Sequence, residues 1–167
     1  NDQYYICDRN GVRQDWRDAM TYHYVWNTGV AQNDAGSGGD AGGDFNSALA
    51  IAPGSYTGYL AKNSDDNDYY KFAVSSGQNI AISMTPPSTA DFDIYLYNPS
   101  GTQKAASENG TGQTDTINFT ADSSGDWRLR VYAYSGSGNY SFSVSVSGGQ
   151  PGGTNLLPTA ATYLECG

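Results

Sequence analysis

Short stretches of strict alternation between apolar and polar positions dominate the chain from about residue 70 to residue 147. Tyr70, Phe72 and Val74 share one face of an extended segment, Ile80, Ile82 and Met84 share a second, and Ile94 with Leu96 a third. Trp127, Leu129 and Val131 alternate with Arg128, Arg130 and Tyr132, and Tyr140, Phe142, Val144 and Val146 alternate with Ser141, Ser143, Ser145 and Ser147. A period of two with one apolar face marks a half-buried strand of an antiparallel sheet. Turn formers separate the runs: Ser76-Gly77, Pro86-Pro87, Asn98-Pro99-Ser100-Gly101, Asn109-Gly110, Ser124-Gly125 and Ser135 to Gly138. About eight short strands so punctuated predict an all-β fold, an antiparallel β-sandwich of jelly-roll type.

Both ends depart from this pattern, so the chain divides into 1–33, 34–147 and 148–167. Residues 1–33 form an aromatic extension with Tyr4, Tyr5, Ile6, Trp16, Tyr22, Tyr24 and Trp26. Within it Gln3 to Cys7 and Thr21 to Trp26 read as extended, and Asp15 to Tyr22 as a helical turn or two. Residues 33–44 read NDAGSGGDAGGD, where no apolar period survives and a loop is required. Residues 147–154, SGGQPGGT, have the composition of a flexible linker. Beyond it Leu156, Leu157, Tyr163 and Leu164 make a second apolar cluster that can form a terminal strand.

Composition narrows the class. Eight Lys and Arg stand against 17 Asp and Glu, giving a formal charge of −9, and a surface that neutralises nucleic-acid phosphates needs clustered cations absent here. Only 15% of residues are charged, while Tyr numbers 14 and Gly 21, a balance expected of an extracellular β-protein. No apolar run approaches the roughly 18–20 residues that cross a bilayer. The chain begins at Asn1, without Met or a basic-then-apolar leader, as expected of a chain whose secretion signal has been removed or of a fragment. Two cysteines, Cys7 and Cys166, make no metal motif and are read as a disulfide, within one chain or between subunits, with two buried free thiols as the alternative.

Five segments in order carry a resemblance: NDAGSGGDAG at 33–42, Pro53 to Leu60, DDNDYYKFAV at 65–74, DFDIYLYNPSG at 91–101 and GDWRLRVYAYSGSGNYSFSV at 125–144. Residues 33–147 resemble the bacterial and archaeal pre-peptidase C-terminal domain, a family of β-sandwiches appended to secreted proteases and surface proteins. The resemblance implies a non-catalytic module that binds calcium and serves attachment outside the cell. The two ends lie outside it.

The acidic residues fit that expectation. Asp34, Asp40 and Asp44 lie in the glycine-rich loop, Asp65, Asp66 and Asp68 precede or open a strand, and Asp91 and Asp93 begin another. Calcium takes about 6–8 oxygen ligands, several of them carboxylates, on backbone free to bend around the ion. Asp residues also cap turns without any ion. No EF-hand spacing is present. The lone His23 has no G-x-S-x-G nucleophile near it and reads as a packing residue, and the two glutamates, Glu108 and Glu165, do not form a glycosidase pair. Catalytic residues are therefore not assigned. Tyr56, Tyr59, Tyr69, Tyr95, Tyr97, Tyr132 and Tyr134 include several opposite the apolar faces, where an exposed stripe binds carbohydrate or protein, although Tyr is also a favoured strand residue. N-x-[ST] sequons stand at Asn109, Asn118 and Asn139.

Two functions follow from the sequence. In the first, a non-enzymatic extracellular subunit assembles head-to-tail with copies of itself, its terminal segments (Tyr4, Tyr5, Ile6; Leu156, Leu157, Tyr163, Leu164) pairing with a neighbour's sheet edge and calcium stiffening the loops. In the second, the chain is a targeting module of a secreted hydrolase that binds an extracellular glycan or fibrous protein.

Overall fold

The computed structural model describes residues 32–148 together with the backbones of two short strands, β1 (Tyr5–Cys7) and β2 (Arg13–Asp15). These two pair antiparallel, with Ile6 opposite Gln14. The extended reading of the first segment thus holds for Tyr5–Cys7. Trp16 to Trp26, His23, Cys166 and the apolar tail at 156–166 lie outside the described residues.

Nine strands build the body: β3 (Leu49–Ala50), β4 (Gly54–Ala61), β5 (Asn67–Val74), β6 (Asn79–Thr85), β7 (Asp91–Tyr97), β8 (Gln103–Ser107), β9 (Asp115–Thr120), β10 (Gly125–Ser135) and β11 (Ser137–Ser147). One sheet runs β3-β5-β10-β7-β8 and the other β4-β11-β6-β9. All pairs are antiparallel except β3 with β5. Successive strands mostly pass from one sheet to the other, so that apart from the β7-β8 hairpin the antiparallel neighbours in this body are distant in sequence. The fold is the β-sandwich the alternation predicts.

The core lies between the sheets. Even-numbered positions of β5, β6, β7 and β11 and odd-numbered positions of β10 turn inward, and Trp127, Tyr70, Tyr140, Phe72, Phe92, Leu96 and Leu129 are fully or nearly fully buried. Each side chain of this size contributes about 1.5–3 kcal/mol on burial. Trp127 keeps its indole N–H satisfied on the Ser123 carbonyl at 3.0 Å. The segments β4, β8 and β9 lie outside the alternating runs singled out in the sequence and are recruited by pairing. Gly58 interrupts β4 for a steric reason: a Cβ there would overlap the Tyr140 ring and hydroxyl.

The two outer faces differ. The β4-β11-β6-β9 face carries Ser141, Ser143 and Ser145 on β11 with Thr116, Asn118 and Thr120 on β9. The β5-β10-β7 face carries register rows of large groups: Asn67-Tyr132-Asp93, Tyr69-Arg130-Tyr95 and Lys71-Arg128-Tyr97. Of the tyrosines expected on a common platform, Tyr69, Tyr95, Tyr97, Tyr132 and Tyr134 share this face or its end. Tyr56 instead packs inward on Phe142, ring centroids 5.4 Å apart, and Tyr59 belongs to β4 in the other sheet.

Candidate metal centre

The glycine-rich loop closes on itself around one carboxylate. Residues 34–36 form a 3-10 turn, with Ala35 in the left-handed region (φ 51°), and the Asp34 N–H donates to the Gly39 carbonyl at 2.9 Å. Asn33 Oδ1 accepts the Gly38 N–H at 2.7 Å and braces the same loop. Asp34 is fully buried, its Oδ2 accepting the Ala41 N–H and its Oδ1 the Tyr59 N–H of β4, both at 2.9 Å. The second of these bonds docks the loop against β4.

Asp68 arrives from β5. Its even number places it inward with Tyr70, and it too is fully buried. Oδ2 accepts a short hydrogen bond from the Tyr140 hydroxyl, which lies 2.6 Å from the Tyr70 hydroxyl, while Oδ1 finds no hydrogen-bond partner among the described residues. One carboxylate oxygen from each of Asp34, Asp40 and Asp68 lies within 4.8 Å of the others, the one such group among the described residues. Asp40 is the exposed member and closes the outside of the group.

No cation among the described residues answers this charge: the ion pairs there are Lys62 with Asp66 and Lys104 with Asp122. Burial and mutual repulsion raise the titration of Asp68, Asp65 and Asp40. Burial, then Asp34, Asp65 and Asp40, push Asp68 up to about 9 against the opposing Tyr140 bond. Asp65 rises to about 6, first from burial and then from Asp40, with the Gln32 amide at 2.5 Å working the other way. Asp40 is raised by burial and by Asp34. A buried carboxylate oxygen without a donor is costly unless a cation meets it, and an all-oxygen, all-carboxylate donor set on glycine-rich backbone suits a hard divalent ion such as calcium. The residues therefore fit the ion that the sequence leads one to expect, and Asp34, Asp40 and Asp68 would be its carboxylate holders, with Asp65 alongside.

The remaining candidates are placed elsewhere. Asp44 is exposed and caps its own turn, accepting the Asn46 and Ser47 N–H groups at 2.7 and 3.0 Å, which lower its titration. Asp66 accepts the Asn63 N–H at 2.5 Å and pairs with Lys62 at 3.4 Å. Asp91 and Asp93 sit at the end of β7 beside Glu108. Burial, followed by Asp91, Asp115 and Glu108, pushes Asp93 up to about 6. Glu108 and Asp115 carry no candidate role in the sequence reading. The alternation Asp115, Ile117, Phe119 was the signal that could have placed Asp115 inward. The sequons are exposed, but the Asn109 side-chain amide is already engaged, donating to the Thr114 carbonyl at 2.9 Å. Cys7 belongs to β1, while its expected partner Cys166 is among the undescribed residues.

Residues 66–133 match the family model described as the bacterial pre-peptidase C-terminal domain. Among solved structures, the pre-peptidase C-terminal domain of a collagenase from Bacillus anthracis is similar at 29% identity with a TM-score of 0.51, over 57% of this chain and 92% of that one. The periplasmic lysozyme inhibitor PliG of Aeromonas hydrophila is similar at 14% identity and a TM-score of 0.46, over 59% of this chain and 96% of that one. The CspB protease of Clostridium perfringens matches at 14% identity and a TM-score of 0.41, over 57% of this chain and 27% of the protease.

Proposed function

Because the sandwich of this chain is a pre-peptidase C-terminal domain, a module type that is non-catalytic and occurs in secreted bacterial proteins, we propose that it works outside the cell as a calcium-stabilised attachment module. Calcium held by Asp34, Asp40 and Asp68 locks the 33–41 loop onto β4 and β5. The locked sandwich presents the β5-β10-β7 face to an insoluble extracellular polymer, a fibrous protein or a polysaccharide. The observation that carries this reading is the contrast between the two outer faces: one offers small hydroxyl groups, the other rows of Tyr and Arg. Tyr and Arg side chains concentrate binding energy wherever proteins meet partners. That the collagenase relative carries the same domain type supports a fibrous protein as one such polymer. Among the described residues no helix is long and apolar enough to cross a membrane.

The test is co-sedimentation with insoluble collagen and with insoluble glycans, in millimolar calcium and after chelation. Retention on one polymer, lost when Tyr97 and Arg130 are changed to Ala, is expected. Failure to sediment with any of them would remove the attachment role. A second reading, self-assembly into filaments through the terminal segments, draws support from β8 and β9, which end the two sheets and leave one backbone edge each for an added strand. Electron microscopy of the chain with and without residues 155–167 tests it, since dispersed particles from the intact chain would dispose of it.

A further inference from the structure

At the far end of the Tyr- and Arg-bearing face lies a cavity of about 370 Å³, separate from the calcium centre. Its walls are Asp91, Asp93, Tyr95, Glu108, Tyr132 and Tyr134, contributed by β7, β10 and the turn after β8. The pairing of β10 with β7 shifts register between Ala133 and Ser135, and at that bulge Tyr134 stands 64% exposed.

Two carboxylates of this cavity, Asp91 and Asp93, are poorly partnered among the described residues. Asp93 faces the outer side, opposite Tyr132, yet only 6% of it is exposed. Its one hydrogen-bond neighbour is the Tyr95 hydroxyl at 3.5 Å, and that hydroxyl donates its proton to Glu108 Oε1 at 2.7 Å. Asp93 therefore receives no firm donor. Two further oxygens nearby, Asp91 Oδ1 and Asp115 Oδ2, are buried with no hydrogen-bond partner among the described residues. Arg130 does not relieve them: its guanidinium lies over the Tyr132 and Tyr95 rings at 4.6 and 5.2 Å, and its Nε is committed to Asn67 Oδ1 at 2.7 Å.

The occupant of such a place is a cation, and the geometry selects its kind. A metal ion requires several carboxylate oxygens on one point, an arrangement that among the described residues occurs at Asp34, Asp40 and Asp68 and not here. A roomy cavity with acidic groups and three tyrosine rings suits an organic cation, whose charge the carboxylates balance and whose body the ring faces attract. We propose that this cavity receives the side-chain cation of a lysine or arginine presented by a partner polypeptide. The chain's net charge of −9 favours the approach of a basic segment, and Asp91, Asp93 and Glu108 supply the negative charge at the cavity itself. The proposal rests on the attachment reading for the existence of a partner, and adds the chemistry by which that partner is held.

The experiment is a titration of isotope-labelled full chain, kept in saturating calcium, with N-acetyl-lysine methylamide, N-acetyl-arginine methylamide, the uncharged N-acetyl-norleucine methylamide and a short lysine-containing peptide. Amide resonances of Asp93, Tyr95, Glu108 and Tyr134 should move with the cationic probes and not with the norleucine probe, with the peptide binding more tightly than the single residue. Asp93→Asn combined with Glu108→Gln should weaken that binding at least tenfold while the melting curve shows the variant still folded. Movement with the neutral probe, absence of movement at these four residues, unchanged affinity in the double variant, or competition by added calcium would each overturn the proposal. A positive titration beside failed co-sedimentation would remove only the attachment reading, and the reverse result would remove only this cavity.

Discussion

Replacing Asp68 by Asn should change the sign of its effect with calcium. Asp68 is fully buried with one oxygen unpartnered, and its carboxyl is pushed up to about 9, foremost by burial. In the unfolded chain an ordinary Asp titrates near ~3.9, so at pH 7 the chelated protein must take up a proton to fold. Three pH units at about 1.4 kcal/mol each put this near 4 kcal/mol. Asn has the same shape, carries no charge and still accepts from the Tyr140 hydroxyl. Its amide N–H group meets the place where Oδ1 had no donor, and leaving that group unsatisfied costs about 1–3 kcal/mol. About 2 kcal/mol of gain should remain, a rise in Tm of about 4–8 °C for a chain of this length. In calcium at about a hundred times its dissociation constant the wild type should gain about 2.7 kcal/mol and the variant almost none. Calorimetric melts at pH 7, in chelator and in millimolar calcium, read both effects. A variant less stable than wild type under chelation would refute the cost assigned to the buried carboxylate. A variant that gains as much from calcium as wild type would refute Asp68 as a ligand.

The same linkage sets a pH trend: groups whose folded titration is raised stabilise fully below their unfolded value and lose that contribution as pH climbs. Chelated protein should therefore lose stability from about pH 4 to about 9, with Asp65 and Asp93, both near 6, adding to the loss in the lower part; urea midpoints rising across this range would contradict it. Gly58→Ala drives a Cβ into the Tyr140 ring and should cost about 1–3 kcal/mol while weakening calcium binding through the Tyr140–Asp68 bond, measured by denaturation and calcium titration. Arg128 holds the 44–47 turn, its guanidinium 3.9 Å over the Phe45 ring and its Nε on the Phe45 carbonyl at 2.9 Å. Arg128→Ala should lose about 1–2 kcal/mol and expose that turn to limited proteolysis, and an unchanged cleavage pattern would count against the anchor.

Strands β5, β6, β7, β10 and β11, the turns between them and the loop at 33–44 are all legible in the sequence, because each depends on contacts within a few residues and a period of two carries its own burial pattern. The inward direction of Asp68 is equally legible, since it continues the row Tyr70, Phe72, Val74. Strands β4, β8 and β9 are not, because Gly58 breaks one, alanines weaken another, and the pairing that recruits them joins segments far apart in the chain. The site divides the same way. Local composition nominates eight aspartates, and beyond the inward direction of Asp68 nothing local ranks them. Tertiary structure brings Asp34, Asp40 and Asp68 together by docking the glycine-rich loop against β4 and laying β5 beneath it. It sends Asp91 and Asp93 to another cavity, where Glu108 joins them, and leaves Asp44 and Asp66 to their own turns. Alternation decides which face a side chain takes. Which carboxylates meet is decided by strand register and loop closure between residues dozens of positions apart, and those contacts leave no period in the sequence.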